Sequence, residues 1–415
     1  MDDPAFEIET DLDTQSILLA SANHDVDALR DLLRNSSANV QDAETGFTPL
    51  HAAIAACERG ADRAQSSEKN GVTEPGEGDG EEKPVDIQAA VKTLRVLFEN
   101  GAIWNDLDAN NETPGCIAHR LELKELYNLC VDAGVRAELL LSRLGGYQVL
   151  GDDDSDEDMD EDEDMDEDEV TEAEVNVEMA AADADVESTQ NPTYLSSNLT
   201  FHRNKLVDDA DNGVMMEWET TLMRRSAERL LPVSGLRVLN IGHGMGIIDG
   251  FFQQASPKSH HIIEAHPDVL AQMKQQGWDK KPGVVIHEGR WSDVVPQLIE
   301  SGVLFDAIYF DTFAEEYTAL REFITESLIG LLDPAGGPDG ESGRFGFFNG
   351  MGADRQICYD VYNQIVEMDL YAAGFETAWE TVEVPDLDKE GEWEGVKRKY
   401  WALDTYKLPT CVFVS

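Results

Sequence analysis

The sequence predicts two folded parts: a small all-α repeat module, and after it an α/β domain with a mostly parallel sheet. Three observations support this. The first 148 residues contain self-similar segments, residues 152–169 are almost all Asp or Glu, and strand-like and helix-like segments alternate after residue 190. Such alternation is typical of βαβ units whose helices cover both faces of a sheet. We therefore expect a module at 1–148, a linker at 149–190 and an α/β domain at 191–415.

The module is predicted from repeated helix openings. The string T-P-L-H-A-A at 48–53 resembles the signature that opens an ankyrin repeat. A similar helix is expected to begin at Ser16, and T-P-G-C-I-A at 113–118 resembles a further opening. The last two openings are separated by about two repeats of about 33 residues. Because 58–84 is rich in Gly, Pro and Glu, we predict three repeats, the middle one interrupted there by a disordered loop.

The chain is strongly acidic, with a formal net charge of −53. This charge argues against binding a nucleic acid directly and against an anionic membrane surface, since both require clustered Lys and Arg. It favours a cationic partner, such as an Arg-rich or Lys-rich protein or a guanidinium compound. The acidic linker repels itself and stays extended. The linker could serve either as a solvated spacer or as a decoy for basic partners.

The five cysteines have no C-x-x-C spacing. We interpret them as reduced thiols of an intracellular protein, and we expect no metal site. The acidic beginning M-D-D-P-A-F-E lacks the apolar region of a secretory signal, and no uncharged apolar run is long enough to span a bilayer. Cytoplasm and nucleus are both expected locations.

The α/β domain is predicted from five strand-like runs and the helices between them. The strands are expected at 237–241, 260–264, 283–287, 305–310 and 344–348, and the helices at about 216–231, 248–255, 267–276, 291–301 and 315–332. The tail has a strand-like segment at 377–384. Two more are expected at 399–403 and 410–415, joined as an antiparallel hairpin by a turn around Lys407-Leu408-Pro409. A parallel sheet that ends in a hairpin is the layout of Rossmann-like methyltransferases.

A glycine-rich turn follows the first strand of this domain. The run V-L-N-I-G-H-G-M-G-I at 238–247 has glycines at 242, 244 and 246, a G-x-G-x-G spacing that is typical of loops binding S-adenosylmethionine (SAM). An ordinary strand–helix turn is the alternative. Glu264 ends the second strand, where an acidic side chain can accept both ribose hydroxyls; a surface Glu is the alternative. Trp291 follows the third strand, where it could lie against an adenine ring or pack in the core.

Two carboxylates are candidates for chemistry. Asp311 ends the fourth strand, and ligands of open α/β sheets lie outside the carboxyl ends of the strands. A helix cap is the alternative for an Asp at that point. Glu219 lies in a helix just before the first strand, and this helix could cross the site and bring Glu219 near Asp311. Two carboxylates suit a guanidinium, which they can hold by paired hydrogen bonds.

Five motifs in order resemble guanidinoacetate methyltransferases across about residues 195–415. They are G-V-M-M-E-W-E-T, V-L-N-I-G-H-G-M-G-I, H-I-I-E-A-H, G-R-W-S-D-V and F-D-A-I-Y-F-D-T-F. With an ankyrin-like module before them, the chain resembles the fungal type IV protein arginine methyltransferases. The resemblance implies a Rossmann-like, class I, SAM-dependent methyltransferase. It also implies monomethylation of the internal δ-nitrogen of arginine in basic, ribosomal proteins.

The same resemblance implies the site residues. Asp311 and Glu219 would be catalytic, and no metal ligand is implied. The positions that match cofactor contacts are Phe201, Met215, Gly242, His243, Gly244, Met245, Gly246, Ile247, Ile248, Glu264, Ala265, His266, Arg290, Trp291 and Asp311. Asn240 departs from the pattern, since an acidic residue often precedes the glycine loop. The Glu-rich hairpin and T-H-W loop of ordinary arginine methyltransferases are not found, which argues against methylation of an ω-nitrogen.

Two other functions remain open from the sequence. A small-molecule methyltransferase acting on guanidinoacetate would not need the module. A non-enzymatic scaffold, which would hold basic proteins with repeats and an acidic tract, would not need the glycine loop, Glu264 or Asp311. We expect a monomer. We also expect that removal of residues 1–190 leaves a folded, SAM-binding domain, because every cofactor motif lies downstream.

Overall fold

The computed structural model describes residues 4–58, 86–145, 191–313, 315–335 and 337–414. The predicted linker at 149–190, and all but residue 58 of the predicted loop at 58–84, lie outside the described residues. The described chain forms a helical region followed by an α/β region. Within it, no helix is both long and apolar enough to cross a membrane.

Three pairs of helices form the N-terminal region. They are α1 (Pro4–Ala22) with α2 (Val26–Leu32), α3 (Pro49–Ala55) with α4 (Ile87–Glu99), and α5 (Pro114–Arg120) with α6 (Lys124–Gly145). The T-P strings explain where α3 and α5 begin, because each Thr precedes a Pro in the first turn. The Thr113 hydroxyl accepts from the Cys116 amide at 3.1 Å, and Thr48 forms a capping box with His51.

The prediction that a helix begins at Ser16 is wrong. Helix α1 already begins at Pro4, and Ser16 lies inside it. The Ser16 hydroxyl donates to the Leu12 carbonyl at 2.7 Å, one turn back, instead of capping a new helix. A Ser in sequence therefore marks a helix start only when no helical residue precedes it.

A seven-stranded sheet forms the α/β region. Five strands are parallel: β4 (Arg237–Ile241), β5 (Ser259–Glu264), β6 (Val284–Glu288), β7 (Ala307–Phe310) and β8 (Arg344–Phe347). Their order in the sheet is β6-β5-β4-β7-β8, followed by β10 (Thr405–Phe413) and β9 (Phe375–Glu383). Strand β10 runs antiparallel to both of its neighbours, β8 and β9. The five predicted parallel strands are confirmed. The order of the five parallel strands is that of a Rossmann-like sheet, as the sequence predicted.

Helices cover both faces of this sheet because each strand alternates its side chains between two cores. On one face, Val238 and Tyr309 pack with α8 (Thr220–Leu230), α9 (Ile247–Gln254) and α10 (Pro267–Gln275). On the other face, Leu239 and Phe310 pack with α11 (Trp291–Glu300), α12 (Tyr317–Glu322), α13 (Leu328–Leu331) and α14 (Gln356–Ala372). The loops that leave the carboxyl ends of β4, β5 and β7 therefore lie between the two helical layers.

The predicted hairpin at the C-terminus is wrong. No turn forms at Lys407-Leu408-Pro409; β10 runs straight through these residues and pairs with β9 from Thr405 to Phe413. Residues 399–403 do not form a strand. Trp401, in the middle of this segment, is buried. Pro409 removes one amide from the ladder, but the long register with β9 holds the strand together.

The predicted single helix at 315–332 is also interrupted. One turn of π-helix at Phe323–Ser327 separates α12 from α13. In an α-helix, side chains five residues apart point in different directions, whereas a π-turn places such side chains nearly on the same side of the helix. The wider turn is consistent with Phe323 and Leu328 both being fully buried.

A small antiparallel sheet that the sequence did not predict precedes the main one. It consists of β1 (Thr200–Phe201), β2 (Lys205–Val207) and β3 (Gly213–Met216). A short α7 (Asn191–Ser196) comes before it, and one turn of 3₁₀-helix at Glu217–Glu219 follows it and leads into α8. The predicted helix at 216–231 therefore begins later, and β3 fixes where Glu219 lies.

The helical region and the α/β region share a hydrophobic core. Ile357, Val361 and Ile365 of α14 are buried in the same cluster as the module's apolar side chains. Gly115 of α5 is needed at this contact, because a Cβ there would lie 1.9 Å from Ile357 Cδ1. The expectation that residues 191–415 fold without the module stays a prediction, and the shared core argues against it.

Candidate active site

A cavity of about 420 Å³ opens at the carboxyl ends of β4, β5 and β7. This is the end of a parallel sheet where ligands bind. Its wall combines the glycine loop, the ends of β5 and β7, the segment around β3 and the turn after β8. The volume is within the range of about 300–1,000 Å³ that small-molecule sites occupy.

The glycine loop between β4 and α9 needs its glycines for close approach. Gly242 has φ +92°, and a Cβ at this position would lie 1.9 Å from the Asp311 carbonyl oxygen. Gly244 has φ +53°, and its Cβ would lie 2.8 Å from Met215 Cε. Both conformations favour glycine. The loop is thus pressed between β7 on one side and β3 on the other.

Glu264 holds this loop by hydrogen bonds to the backbone. Its Oε2 accepts from the His243 amide at 2.8 Å. Its Oε1 accepts from the amides of Ala265 and His266, at 2.8 and 2.7 Å. The side chain is nearly buried and lines the cavity. The Gly244 amide also lies 3.4 Å from Oε2, so all of the about four acceptor positions of the carboxylate face backbone donors, the last by a long bond that a ligand hydroxyl could replace. The ribose role of Glu264 stays a prediction, to which the structure adds a loop-holding role.

A buried polar network supports the loop from behind and explains Asn240. The Asn240 amide donates to the Gly242 carbonyl at 2.7 Å and to Asp249 Oδ2 at 2.9 Å. His243 and His260 also hydrogen-bond Asp249, at 2.6 and 2.8 Å. Burial alone would raise the pKa of Asp249, but the two imidazoles lower it to about 2. Asn240, which stands where an acidic residue is often found, thus stabilises the glycine loop through its hydrogen bonds to Gly242 and Asp249.

Asp311 is a carboxylate of the cavity wall with one unsatisfied oxygen. It directly follows β7, and its amide donates to the Ile241 carbonyl at 2.9 Å, so the backbone is fixed. Its Oδ2 is shielded from solvent and has no hydrogen-bond partner among the described residues. Burial, and then the charge of Asp249, raises the pKa of Asp311 to about 7. Such a group gains most from a ligand that donates hydrogen bonds and carries positive charge.

Glu219 lies on the opposite wall and is buried. Its Oε1 accepts from the Met216 amide at 3.1 Å and from the Tyr400 hydroxyl. Burial, and then the charge of Asp311, raises the pKa of Glu219 to about 8, although both hydrogen bonds act in the opposite direction. The two predicted catalytic carboxylates therefore face one cavity and influence each other's ionisation.

Four more predicted cofactor residues line the cavity: Met215, Ala265, Arg290 and Trp291. Trp291 packs in the core, as one of the two interpretations of the sequence expected, and its contact with an adenine ring stays a prediction. Its ring packs edge-on against Phe310 and Phe323 in the core, and its indole nitrogen donates to Glu315 at 3.1 Å. It thus forms the floor of the cavity while it belongs to the core.

Seven predicted cofactor residues are not among those that line the cavity: Phe201, His243, Met245, Gly246, Ile247, Ile248 and His266. Ile248 is buried against the sheet, and the imidazoles of His243 and His266 are buried in hydrogen-bond networks. Phe201 packs against the core from β1.

Tyr194 is an aromatic residue of the cavity wall that the sequence did not single out. It lines the cavity, and its ring lies 4.9 Å from both His266 and Phe313. Arg398, Lys399 and Tyr400 reach the cavity from the segment before β10. Spacing gives no signal for any of these residues, since they come from short or irregular segments that the fold brings to the sheet edge.

The comparisons with known proteins agree with this geometry. The family model of guanidinoacetate N-methyltransferase matches residues 202–338. The chain is 52% identical to protein arginine N-methyltransferase 2 of Emericella nidulans, covering 100% of both chains, and 54% identical to that of Aspergillus fumigatus, covering 99% of this chain and 98% of the relative. The chain belongs to the protein arginine N-methyltransferase 2 family.

Among solved structures, the chain is similar to a putative SAM-dependent methyltransferase from Listeria monocytogenes. The identity is 14%, the TM-score is 0.34, and the match covers 47% of this chain and 98% of that one.

As a member of this family, the protein is a methyltransferase whose methyl donor is SAM. The cavity fits that donor. Glycines let a ligand approach the backbone after β4, and Glu264 and Tyr194 line the cavity beside them. When bound, SAM supplies an electrophilic methyl group carried on a sulfonium. Glu219 and Asp311 line the same cavity.

Proposed function

We propose that this methyltransferase monomethylates the internal δ-nitrogen of an arginine in basic target proteins, ribosomal proteins among them. The observation that carries the proposal is the pair Glu219 and Asp311, two carboxyl groups that share one cavity, of which Asp311 has an oxygen without a hydrogen-bond partner in the described part of the chain. The names of the family members, which specify arginine, support the same substrate group.

A guanidinium matches this pair better than an ammonium does. Its planar fork presents several N–H donors that can meet two carboxylates by paired hydrogen bonds. With both pKa values raised, the pair holds a proton near neutral pH in the empty cavity. A cationic ligand favours the ionised forms, so its binding should release protons.

The carboxylates prepare the δ-nitrogen by gripping the terminal nitrogens. In a free guanidinium, the δ-nitrogen lone pair is delocalised and is a weak nucleophile. Glu219 and Asp311 localise positive charge on the terminal nitrogens, which leaves more electron density on the δ-nitrogen. The buried site excludes water and fixes the acceptor within about 3–3.5 Å of the reacting methyl. After transfer, one of the two carboxylates takes the proton that leaves the δ-nitrogen.

The helical module is proposed to be a three-repeat ankyrin array that presents the protein substrate. Two turns at its edge support this. Asp42 accepts from the Thr45 amide at 2.8 Å, Asp108 accepts from the Glu112 amide at 2.9 Å, and the Ala109 amide bonds the Thr45 carbonyl at 2.9 Å. Equivalent turns are thus linked between successive helix pairs. Repeat arrays bind proteins on such extended surfaces.

Product analysis tests the proposed substrate and product. The full-length protein should transfer label from methyl-labelled SAM to ribosomal proteins, and fragmentation of the modified peptides should locate one methyl on the δ-nitrogen. Guanidinoacetate, offered in parallel, should be a poor acceptor. Methylation of guanidinoacetate without methylation of any protein would establish the small-molecule alternative. Binding of basic proteins without any transfer would establish the scaffold.

We also propose that the enzyme acts as a monomer in the cytoplasm and nucleus and does not bind nucleic acid directly. The net charge of −53 supports the last point, because it repels a phosphate backbone. Light scattering of the purified protein and imaging of a tagged chain test the first two. Salt-dependent retention on RNA or DNA would contradict the third.

A further inference from the structure

Tyr400 reaches Glu219 from the segment before β10, where the sequence had predicted a strand. Its ring is held between Trp218 and Trp393, with centroid distances of 6.0 and 5.1 Å. On a third side it lies against Gly213 at the start of β3, where an added Cβ would come 3.2 Å from Tyr400 Cε1. The hydroxyl therefore has a fixed position at the cavity wall.

The direction of the hydrogen bonds through Tyr400 is also fixed. The Trp218 indole nitrogen can only donate, and it lies 3.2 Å from the Tyr400 oxygen. The Tyr400 hydroxyl is then free to give its own proton to Glu219 Oε1. The Met216 amide, also a donor only, bonds the same oxygen at 3.1 Å. Two donors thus meet on Oε1, which leaves Oε2 as the oxygen available to a ligand.

We propose that Tyr400 is a positioning residue for arginine methylation, which favours the ionised form of Glu219 and turns its free oxygen toward the substrate guanidinium. The proposal rests on the proposed function only for the identity of that guanidinium. The titratable groups that face Glu219 are Asp311 after β7, Tyr309 within β7, Tyr400 and Tyr406 within β10.

Among these groups, Asp311 opposes ionisation of Glu219, and the Tyr400 hydroxyl favours it. The side chains of Tyr309 and Tyr406 are neutral at the pH of interest because burial raises their pKa well above the usual value. Loss of the Tyr400 hydroxyl should therefore raise the pKa of Glu219 further. A packing role alone would leave that pKa unchanged.

Tyr400→Phe in the full-length protein tests the proposal. The acidic limb of kcat/KM for a basic protein substrate should shift to higher pH by about one unit, the size expected for one hydrogen bond to a charged group. Activity should approach that of the wild type above the shifted limb. A loss of activity that is equal at every pH would overturn the proposal, since it would indicate packing only.

A second measurement needs no substrate and so separates this inference from the proposed function. Thermal stability between about pH 7 and 9 should fall more steeply in Tyr400→Phe than in the wild type, because ionisation of a more strongly shifted Glu219 costs more. Tyr127→Phe is the matched control, since its hydroxyl bonds another carboxylate, Asp360, at 2.7 Å in the module interface. Equal slopes in Tyr400→Phe and wild type would overturn the proposal even if arginine methylation were established.

Discussion

The two ends of the cavity use acidic side chains in opposite ways. At the end of β5, Glu264 accepts three short hydrogen bonds from backbone amides and is almost saturated. At the end of β7, Asp311 keeps one oxygen without a partner among the described side chains and backbone groups, and its pKa rises to about 7. A carboxylate whose hydrogen bonds are satisfied stabilises a loop. A carboxylate left unsatisfied in a buried site lowers the stability of the fold, and it can bind a cationic ligand more tightly.

The largest effect should come from the unsatisfied end. Asp311→Asn keeps the shape but removes the charge that would hold a guanidinium, so transfer should fall by at least about 100-fold. SAM affinity should stay within several-fold of the wild type, because Glu264 and the glycine loop are unchanged. Initial rates and calorimetric titration with SAM measure the two quantities. Normal turnover in this variant would remove Asp311 from the mechanism.

A change outside the cavity should affect both ends together. Deletion of residues 1–190 exposes Ile357, Val361 and Ile365 of α14, each contributing about 1.5–3 kcal/mol when buried. The fragment should lose several kcal/mol of stability, and SAM binding and transfer should decline in parallel. Denaturant unfolding of the fragment checks the first result. A fragment as stable as the full chain would show that the shared core contributes little.

The satisfied end should respond more moderately. Glu264→Ala removes the acceptor for the loop amides and for a ligand hydroxyl, and SAM binding should weaken by about 1–3 kcal/mol. Glu264→Gln is the matched control, which keeps one acceptor oxygen and should lose less. Titration with SAM measures both variants. The comparison between the two ends fails if Glu264→Ala binds SAM as tightly as the wild type does.

The smallest effect concerns pH and the empty protein. In the folded chain, the pKa of Asp311 and that of Glu219 lie above their unfolded values, so the native state binds more protons than the unfolded state between about pH 4 and 8. Stability from these groups is therefore lost as pH rises through 7–8. Asp311→Asn should flatten the fall of Tm across this range by a few degrees. An identical slope in the variant and the wild type would contradict the raised pKa of Asp311.

The sequence by itself determined the elements whose signals are local. Strand β4, the glycines at 242, 244 and 246, and the acidic residues at the ends of β5 and β7 are all specified by short runs of neighbouring residues. Since the carboxyl ends of parallel strands meet at one edge, these residues had to lie together. The T-P strings at the starts of α3 and α5 are equally local, because a cap and an N-terminal Pro act within one turn.

Only the tertiary structure decided which side chains complete the site. Tyr194 lines the cavity although the sequence pointed to Phe201, and Tyr400 reaches Glu219 from an irregular segment, because contacts between residues far apart in sequence leave no periodic trace. The packing of the module against α14 was missed for the same reason. Ile357 and Val361 form an apolar helix face, and the sequence does not show which part of the chain covers that face. Burial depends on what packs against a residue, and burial is the main cause of the raised pKa of Glu219 and Asp311. The ionisation of this pair could therefore not be predicted from the sequence.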